Sequence, residues 1–320
     1  PHFCFAGHTD VVPAGDESLW AHPPFSGTID NGILYGRGTA DMKGNIAAFI
    51  SATGRFIQKN GKFDGSISFL ITGDEEDKAV DGTAKVLEWM KEHDHLPDMT
   101  LVGEPSNSEK VGEAIRIGRR GSLTCHLTLH GRQGHVAYPD KADNPIPRMA
   151  ALLSHVSNLK LDEGSDFFAP SSLQISTVDV GNPADNVIPG HIKADFNIRF
   201  NDYWTSDELK QFLKDEMAPY LKEGDQIDWR LSGESFITQP GETTDLVCRA
   251  IEDVTGQKPE MNTGGGTSDA RFVQAYSPVV EFGLVNKTIH QTDEHTTVQD
   301  LETLTRVYER ILEIFFDKNS

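Results

Sequence analysis

The sequence predicts an α/β protein in two parts. A mostly parallel-sheet domain covers residues 1–120 and 234–320, and an α+β ferredoxin-like domain is inserted over 121–233. Three observations carry this reading. Short apolar runs ending in Gly-rich turns alternate with helical patterns at both ends of the chain, as in a parallel sheet covered on both faces. In the middle, Leu123, Cys125, Leu127 and Leu129 alternate with Thr124, His126 and Thr128, which marks a half-exposed strand. The length, 320 residues, exceeds what one typical core organises.

The elements follow in order. The first residues read as a buried strand ending at Gly7-His8-Thr9-Asp10. A domain rarely starts at its central strand, so a segment ahead of Pro1 is expected. Ile33 to Tyr35 is a short strand. Met42 to Asn60 is a helix with Ile46, Ile50, Thr53 and Ile57 on one face, the spacing of an amphipathic helix. Ile67 to Ile71 reads as a buried strand before Thr72-Gly73-Asp74, Gly82 to His93 as a helix through Val86, Leu87 and Met90, and Met99 to Gly103 as a strand. In the middle part, the strand at Leu123 is followed by a helix around Pro147 to Leu159 and strands at Leu173 to Val180 and Ile192 to Phe200. A helix at Asp207 to Tyr220 and a strand at Gln226 to Leu231 complete it. That β-α-β-β-α-β order is ferredoxin-like. Beyond Gly233, a helix runs from Thr244 to Thr255 and stops at Gly256. Val279 to Phe282 is a buried strand and Leu301 to Phe315 an amphipathic helix.

Composition narrows the function. Lys and Arg total 29 against 49 Asp and Glu, a formal net charge of −20, which repels nucleic acid and anionic membranes. No apolar run is long enough to span a bilayer, and Pro1-His2-Phe3-Cys4-Phe5 lacks the basic start of a secretory signal. Cys4, Cys125 and Cys248 are odd in number and scattered. They read as apolar core residues in a reducing cytoplasm rather than as a disulfide framework.

The chemistry-bearing residues gather at strand ends. His8 ends the first strand, and Asp41 lies in the turn Gly36 to Gly44 that opens a helix. Glu75 and Glu76 follow the strand ending at Gly73, Glu104 follows Gly103, and His290 follows the strand at Phe282. C-terminal strand ends are where open parallel sheets bind ligands. Carboxylates with imidazoles and no thiolate suit zinc, cobalt or manganese in a catalytic site. Two ions fit better than one: Asp41 can bridge, leaving His8 and Glu104 for one ion and Glu76 and His290 for the other. Asp10 can accept the free imidazole N–H of His8. Glu75, the spare carboxylate, can carry a proton from water to a leaving amine. Each signal alone has a bland reading as a solvated loop residue, and their joint order is what carries weight. His295 competes with His290. Gly264 to Asp269 could be a phosphate loop, but it lacks the P-loop lysine.

Gly7-His8-Thr9-Asp10-Val11-Val12, Gly36-Arg37-Gly38, Asp41-Met42-Lys43-Gly44, Asp74-Glu75-Glu76 and Gly103-Glu104-Pro105 resemble the zinc-dependent aminoacylase/carboxypeptidase metallohydrolase family, from end to end. Gly118 to Leu123, Gly134 to Pro139, Asn144 to Ile146, Asn186 to Pro189, Gly264 to Asp269 and Val280 to Gly283 resemble its succinyl-diaminopimelate desuccinylase branch more than its acetylornithine deacetylases. The resemblance implies hydrolysis of N-succinyl-LL-2,6-diaminopimelate to succinate and LL-2,6-diaminopimelate, in diaminopimelate and lysine biosynthesis. It implies two Zn2+ per subunit, for which Co2+ can substitute, on His8, Asp41, Glu76, Glu104 and His290. It favours His290 over His295, makes Glu75 the general base and His135 the oxyanion-stabilising histidine, and implies substrate contacts at Tyr138, Asn186, Arg199, Ser232, Thr267, Asn286 and Arg119. It also implies a cis peptide at Asp41-Met42, a homodimer through the inserted domain, a partner histidine completing each site, and further residues before the position of Pro1. Asp77, Asp293 and Ala270 depart from the usual motif, and none of them removes a ligand. Other expectations are an acetylornithine deacetylase, aminoacylase or metallo-carboxypeptidase of the same family. A non-enzyme expectation is an inactive zinc-binding dimerisation protein, which would need neither Glu75 nor His135.

Overall fold

A computed structural model of the chain describes residues 1–77 and 79–317. The chain forms two compact units. One comprises Pro1–Gly118, Ile237–Gly264 and Ser268–Ser320, and the other Arg119–Phe236 with Gly265–Thr267.

The first unit is built on a six-stranded sheet in the order Glu260–Asn262, Ala114–Arg116, Val279–Glu281, Met99–Val102, His2–His8, Ser66–Thr72. All neighbours are parallel except Val279–Glu281 against Ala114–Arg116. Met99–Val102 and Val279–Glu281 are wholly buried, and His2–His8 nearly so, which explains their unbroken apolar runs. Two strands at the far side, Ala114–Arg116 and Glu260–Asn262, are too short to show periodicity and escaped the sequence reading. The core beside the sheet is aromatic. Phe5 stacks on Phe49 with centroids 4.3 Å apart, and Tyr308 meets both rings edge-on at 5.7 and 5.6 Å. The Tyr308 hydroxyl donates to the Phe282 carbonyl at 2.7 Å, so a fully buried phenol keeps its polar end satisfied.

Two expectations change here. Helix Lys43–Asn60 forms, but its buried face is set by Phe49, Ala52 and Phe56 with Ile46 and Thr53. Ile50 and Ile57 are 56% and 47% exposed. The isoleucines share the helical spacing, but the two phenylalanines offer more apolar area to the aromatic core and rotate the face toward themselves. Likewise Ser66–Thr72 is an outer strand of this sheet, with Phe69 and Ile71 partly exposed, rather than a buried one.

The second unit has an antiparallel sheet in the order Ser172–Asp179, His191–Phe200, Gly121–His130, Gln226–Gly233. Helices Pro145–Ser157 and Ser206–Met217 cover one face, over a core of Leu123, Cys125, Leu127, Leu129, Ile192, Phe196 and Ile198. Alternation puts these side chains on one face of both strands. Asn144 caps the first helix through the Ile146 N–H, and Thr205 with Glu208 forms a capping box on the second. All three cysteines are free and buried. Among the described residues no helix is long and apolar enough to cross a membrane.

The corrected helix face predicts a contrast between neighbours. Phe49→Ala should cost about 3–5 kcal/mol by opening a cavity in the aromatic core. Ile50→Ala should cost less than about 1 kcal/mol. Denaturant unfolding of the two variants measures the difference.

Candidate metal centre

The parallel strands His2–His8, Ser66–Thr72 and Met99–Val102 end on the same edge of the sheet. That brings His8, the Glu75-Glu76 pair and Glu104 together at their carboxyl ends. Asp41 arrives from another direction, just ahead of helix Lys43–Asn60, and the Asp41-Met42 peptide is cis as the resemblance implied. Gly44 lets that turn close, since a Cβ there would lie 2.2 Å from the Thr39 carbonyl oxygen. His290 comes from the turn after Val279–Glu281. The Thr288 hydroxyl closes that turn by donating to the His295 carbonyl at 3.0 Å and accepting the His295 N–H at 3.1 Å.

Asp41 stands between the two imidazoles. Its Oδ1 is 3.2 Å from His8 Nε2 and its Oδ2 is 3.3 Å from His290 Nε2. His8 Nε2 also lies 3.6 Å from Glu104 Oε1 and 3.9 Å from Glu75 Oε2, while His290 Nε2 lies 3.2 Å from Glu76 Oε1. Ligand atoms of His8, Glu75 and Glu104 all fall within 4.8 Å of one another, as do those of His8, Asp41 and Glu76. By proximity Glu75 therefore belongs to the cluster as much as Glu76 does. His8 is almost fully buried and the His290 side chain is 49% exposed, so the cluster opens toward solvent on the His290 side.

The His8 ring is held through Nδ1, but not as expected. The Asp10 backbone carbonyl lies 3.1 Å from Nδ1 and the Asp10 carboxylate 3.4 Å. That carboxylate instead accepts the Glu76 N–H at 3.0 Å, so Asp10 ties the His8 strand end to the loop of paired glutamates. His295 pairs in a short strand with Tyr35. Only His290 of the two histidines faces Asp41 and Glu76.

Charge crowding dominates the electrostatics. Burial works against a charge on His8, but contact with Asp41 and the charges of Glu104 and Glu75 outweigh it and hold its pKa up at about 10. Contact with Asp41, opposed by burial and helped by Glu76, raises His290 to about 9. Burial alone would raise Asp41, yet the two histidines bring it down to about 2. Burial, with Asp41 and Glu75 nearby, pushes Glu104 well up. Glu75 rises to about 7, first through burial and then through Asp269 and Glu76, against the pull of His8 and Arg271. Such a site holds protons that a divalent cation would replace. The donor set fits a cation on two further grounds. Asp41 Oδ1 is buried without a hydrogen bond, and the donors are carboxylate and imidazole, which suit a divalent metal.

The family model of "Peptidase family M20/M25/M40" matches residues 4–314. The chain belongs to this family. It is therefore a hydrolase of amide bonds. It is 52% identical over 324 residues to a succinyl-diaminopimelate desuccinylase of Rhodopseudomonas palustris (strain HaA2), covering 99% of this chain and 83% of that protein. It is also 52% identical over 316 residues to one of Rhodospirillum centenum, with 99% and 82% covered. In structure it is similar to an M20 family metallo-carboxypeptidase, Sso-CP2 of Sulfolobus solfataricus, with a TM-score of 0.81 at 16% identity over 98% of this chain and 85% of that one. It is similar too to the YXEP protein of Bacillus subtilis, a dinuclear metal binding peptidase, with a TM-score of 0.67 at 14% identity over 99% and 82%. At these identities the structures show the shared fold.

The remaining expected site residues of this M20-family chain fall mostly in the second unit. His135 is exposed on a two-residue strand that pairs with Val187-Ile188. Its Nδ1 accepts the Ala137 N–H at 3.1 Å, and its ring meets Tyr138 edge-on at 5.7 Å. Exposed Asn186 accepts the Val136 N–H through its carbonyl at 3.1 Å. His135, Tyr138 and Asn186 are thus brought together. Arg199 pairs across the sheet with Ser122 and keeps a buried Nη1 without a hydrogen bond. Ser232 lies exposed at the irregularity between Leu231 and Gly233. Arg119 donates to the Gly266 carbonyl at 3.0 Å, next to Thr267. In the first unit, Asn286 donates its N–H to the Asn107 carbonyl at 2.8 Å. Sequence reasoning gave no role to Asp269, whose Oδ2 accepts the Thr83 hydroxyl at 2.5 Å and which helps raise Glu75. It gave none to Glu294 either.

The shared position of Asp41 predicts how divalent cations bind. Calorimetric titration should give two ions per chain. His290→Ala should leave one, and Asp41→Ala should weaken both.

Proposed function

We propose that the chain hydrolyses N-succinyl-LL-2,6-diaminopimelate to succinate and LL-2,6-diaminopimelate, in diaminopimelate and lysine biosynthesis, using two Zn2+ for which Co2+ can substitute. The observation that carries this reading is the 52% identity over 99% of the chain to succinyl-diaminopimelate desuccinylases. His8 and Glu104 would hold one ion and Glu76 and His290 the other, with Asp41 within reach of both histidines. Bound there, the ions supply Lewis-acid polarisation of the amide carbonyl and a more acidic attacking water.

The chain's own groups do the rest. Glu75 takes the proton of the attacking water and delivers it to the leaving amine. Burial raises its pKa in the metal-free cluster, and cations beside it would favour the ionised form that accepts the first proton. His135 stabilises the oxyanion. Because Nδ1 accepts a backbone N–H, the ring proton belongs on Nε2, which is then a donor. Arg199 and Arg119 bind substrate carboxylates, where fixed guanidinium groups give paired hydrogen bonds. A local positive charge matters in a chain of net charge −20. Tyr138, Asn186, Ser232, Thr267 and Asn286 complete substrate binding.

The second unit also serves as the dimer contact, and His135 and Asn186 act in the partner's site. Its sheet has outer strands at Ser172–Asp179 and Gln226–Gly233, with Ile175, Val178 and Leu231 exposed. Pairing such edges across a two-fold axis covers them.

The direct test is turnover. Purified protein with Zn2+ should release succinate from the substrate and act far more slowly on N-acetylornithine and dipeptides, and the reverse preference would refute the assignment. Glu75→Gln should keep its metal and lose roughly 10²–10⁴ in rate. Mixing inactive Glu75→Gln with inactive His135→Ala subunits should restore part of the activity, because one site of each hybrid carries neither lesion. No recovery in dimers shown to have exchanged subunits would mean that each chain builds its own site.

A further inference from the structure

Glu294 is a fully buried carboxylate that is not itself among the candidate ligands. Its Oε1 accepts the backbone N–H groups of Ala40 and Asp41, both at 3.0 Å. Its Oε2 accepts Arg37 Nη1 at 2.6 Å, and its carbonyl accepts the Gly36 N–H at 2.8 Å. Arg37 is itself buried, with its guanidinium 5.2 Å from the Trp20 ring centroid. Three donors thus converge on one carboxylate and offset its charge, which suits it to hold a backbone rather than to bind a cation.

The sequence position gives this contact its consequence. Glu294 follows His290 by four residues and adjoins the pair, Thr288 and His295, that closes the His290 turn. A single side chain therefore joins the segment carrying one imidazole to the peptide carrying the carboxylate that imidazole faces. We infer that Glu294 is a positioning residue: it sets the distance between Asp41 and His290, and so tunes the cation site formed by Asp41, Glu76 and His290 more than the one formed with His8 and Glu104. This rests on the two-metal reading above. Only Asp41 of the second set depends on Glu294, whereas both Asp41 and His290 of the first do.

The test compares two variants that remove both charges together, so that neither leaves a buried ion unpaired. Arg37→Met/Glu294→Met has no acceptor for the two N–H groups. Arg37→Met/Glu294→Gln keeps one. Each is titrated with Co2+ by calorimetry and by its visible absorption, with His290→Ala identifying the binding step that belongs to the His290 site. Arg37→Met/Glu294→Met should weaken that step about 10–100-fold, the usual effect of losing a group that orients a ligand. Arg37→Met/Glu294→Gln should stay within about threefold of the unaltered chain. Equal behaviour of the two variants, or equal weakening of both steps, overturns the inference. If the first variant does not fold, Glu294→Asp decides, since it keeps a carboxylate opposite Arg37 but draws the acceptor back by one methylene from the two N–H groups. It should weaken the His290 step more than the other, and an unchanged His290 step overturns the inference. An unaltered chain that binds fewer than two ions overturns the metal reading and this inference together.

Discussion

The Asp41 carboxylate, held with one oxygen toward each of two imidazoles, is the contact on which the rest of the site depends. Four acidic side chains, Asp41, Glu75, Glu76 and Glu104, meet in a space that is mostly buried. Like charges at such distances repel strongly when water is excluded. The protein balances them with His8 and His290, and the balance shows as a raised His8 and His290 and a lowered Asp41. Divalent cations answer the same excess of negative charge, which is why a donor set with this geometry reads as a metal centre rather than a salt-bridge network.

The fold supplies the positions through backbone contacts that tolerate little change. A Cβ on Gly283 would lie 2.4 Å from Asn45 Oδ1 and 2.5 Å from the Glu104 carbonyl oxygen. Asn45 donates to the Ala40 carbonyl at 2.7 Å and accepts the Leu284 N–H at 2.7 Å. Asn107 accepts three N–H groups, from Gly112, Glu113 and Ala114, while donating to the Gly283 carbonyl at 2.6 Å. These buried amides lock the loops that carry Asp41, Glu104 and His290 to one another. Hydrogen bonds of this kind add modestly to stability but are costly to leave unmade, so they give the loops one arrangement.

Much of this was legible in the sequence, for a physical reason. Parallel strands end on one edge of the sheet, so the gathering of His8, Glu75, Glu76 and Glu104 there could be expected from the short apolar runs and the Gly-rich turns that end them. The ferredoxin-like unit was legible because each strand buries a single face. What was not legible depends on comparing unlike side chains or distant segments. Spacing could not say that Phe49 and Phe56, rather than Ile50 and Ile57, face the core. An apolar run could not say that Ser66–Thr72 lies at a sheet edge. Glu294 acts on the Asp41 N–H across 253 positions of sequence, and no local pattern reports such a contact.

The central claim is that Asp41 bridges two ions, and anomalous diffraction from crystals grown with Zn2+ tests it most directly. The account predicts two zinc peaks about 3.5–4 Å apart, each beside a different oxygen of Asp41, with His8 and Glu104 on one and Glu76 and His290 on the other. A single peak at saturating zinc, or two peaks that do not share Asp41, would contradict it.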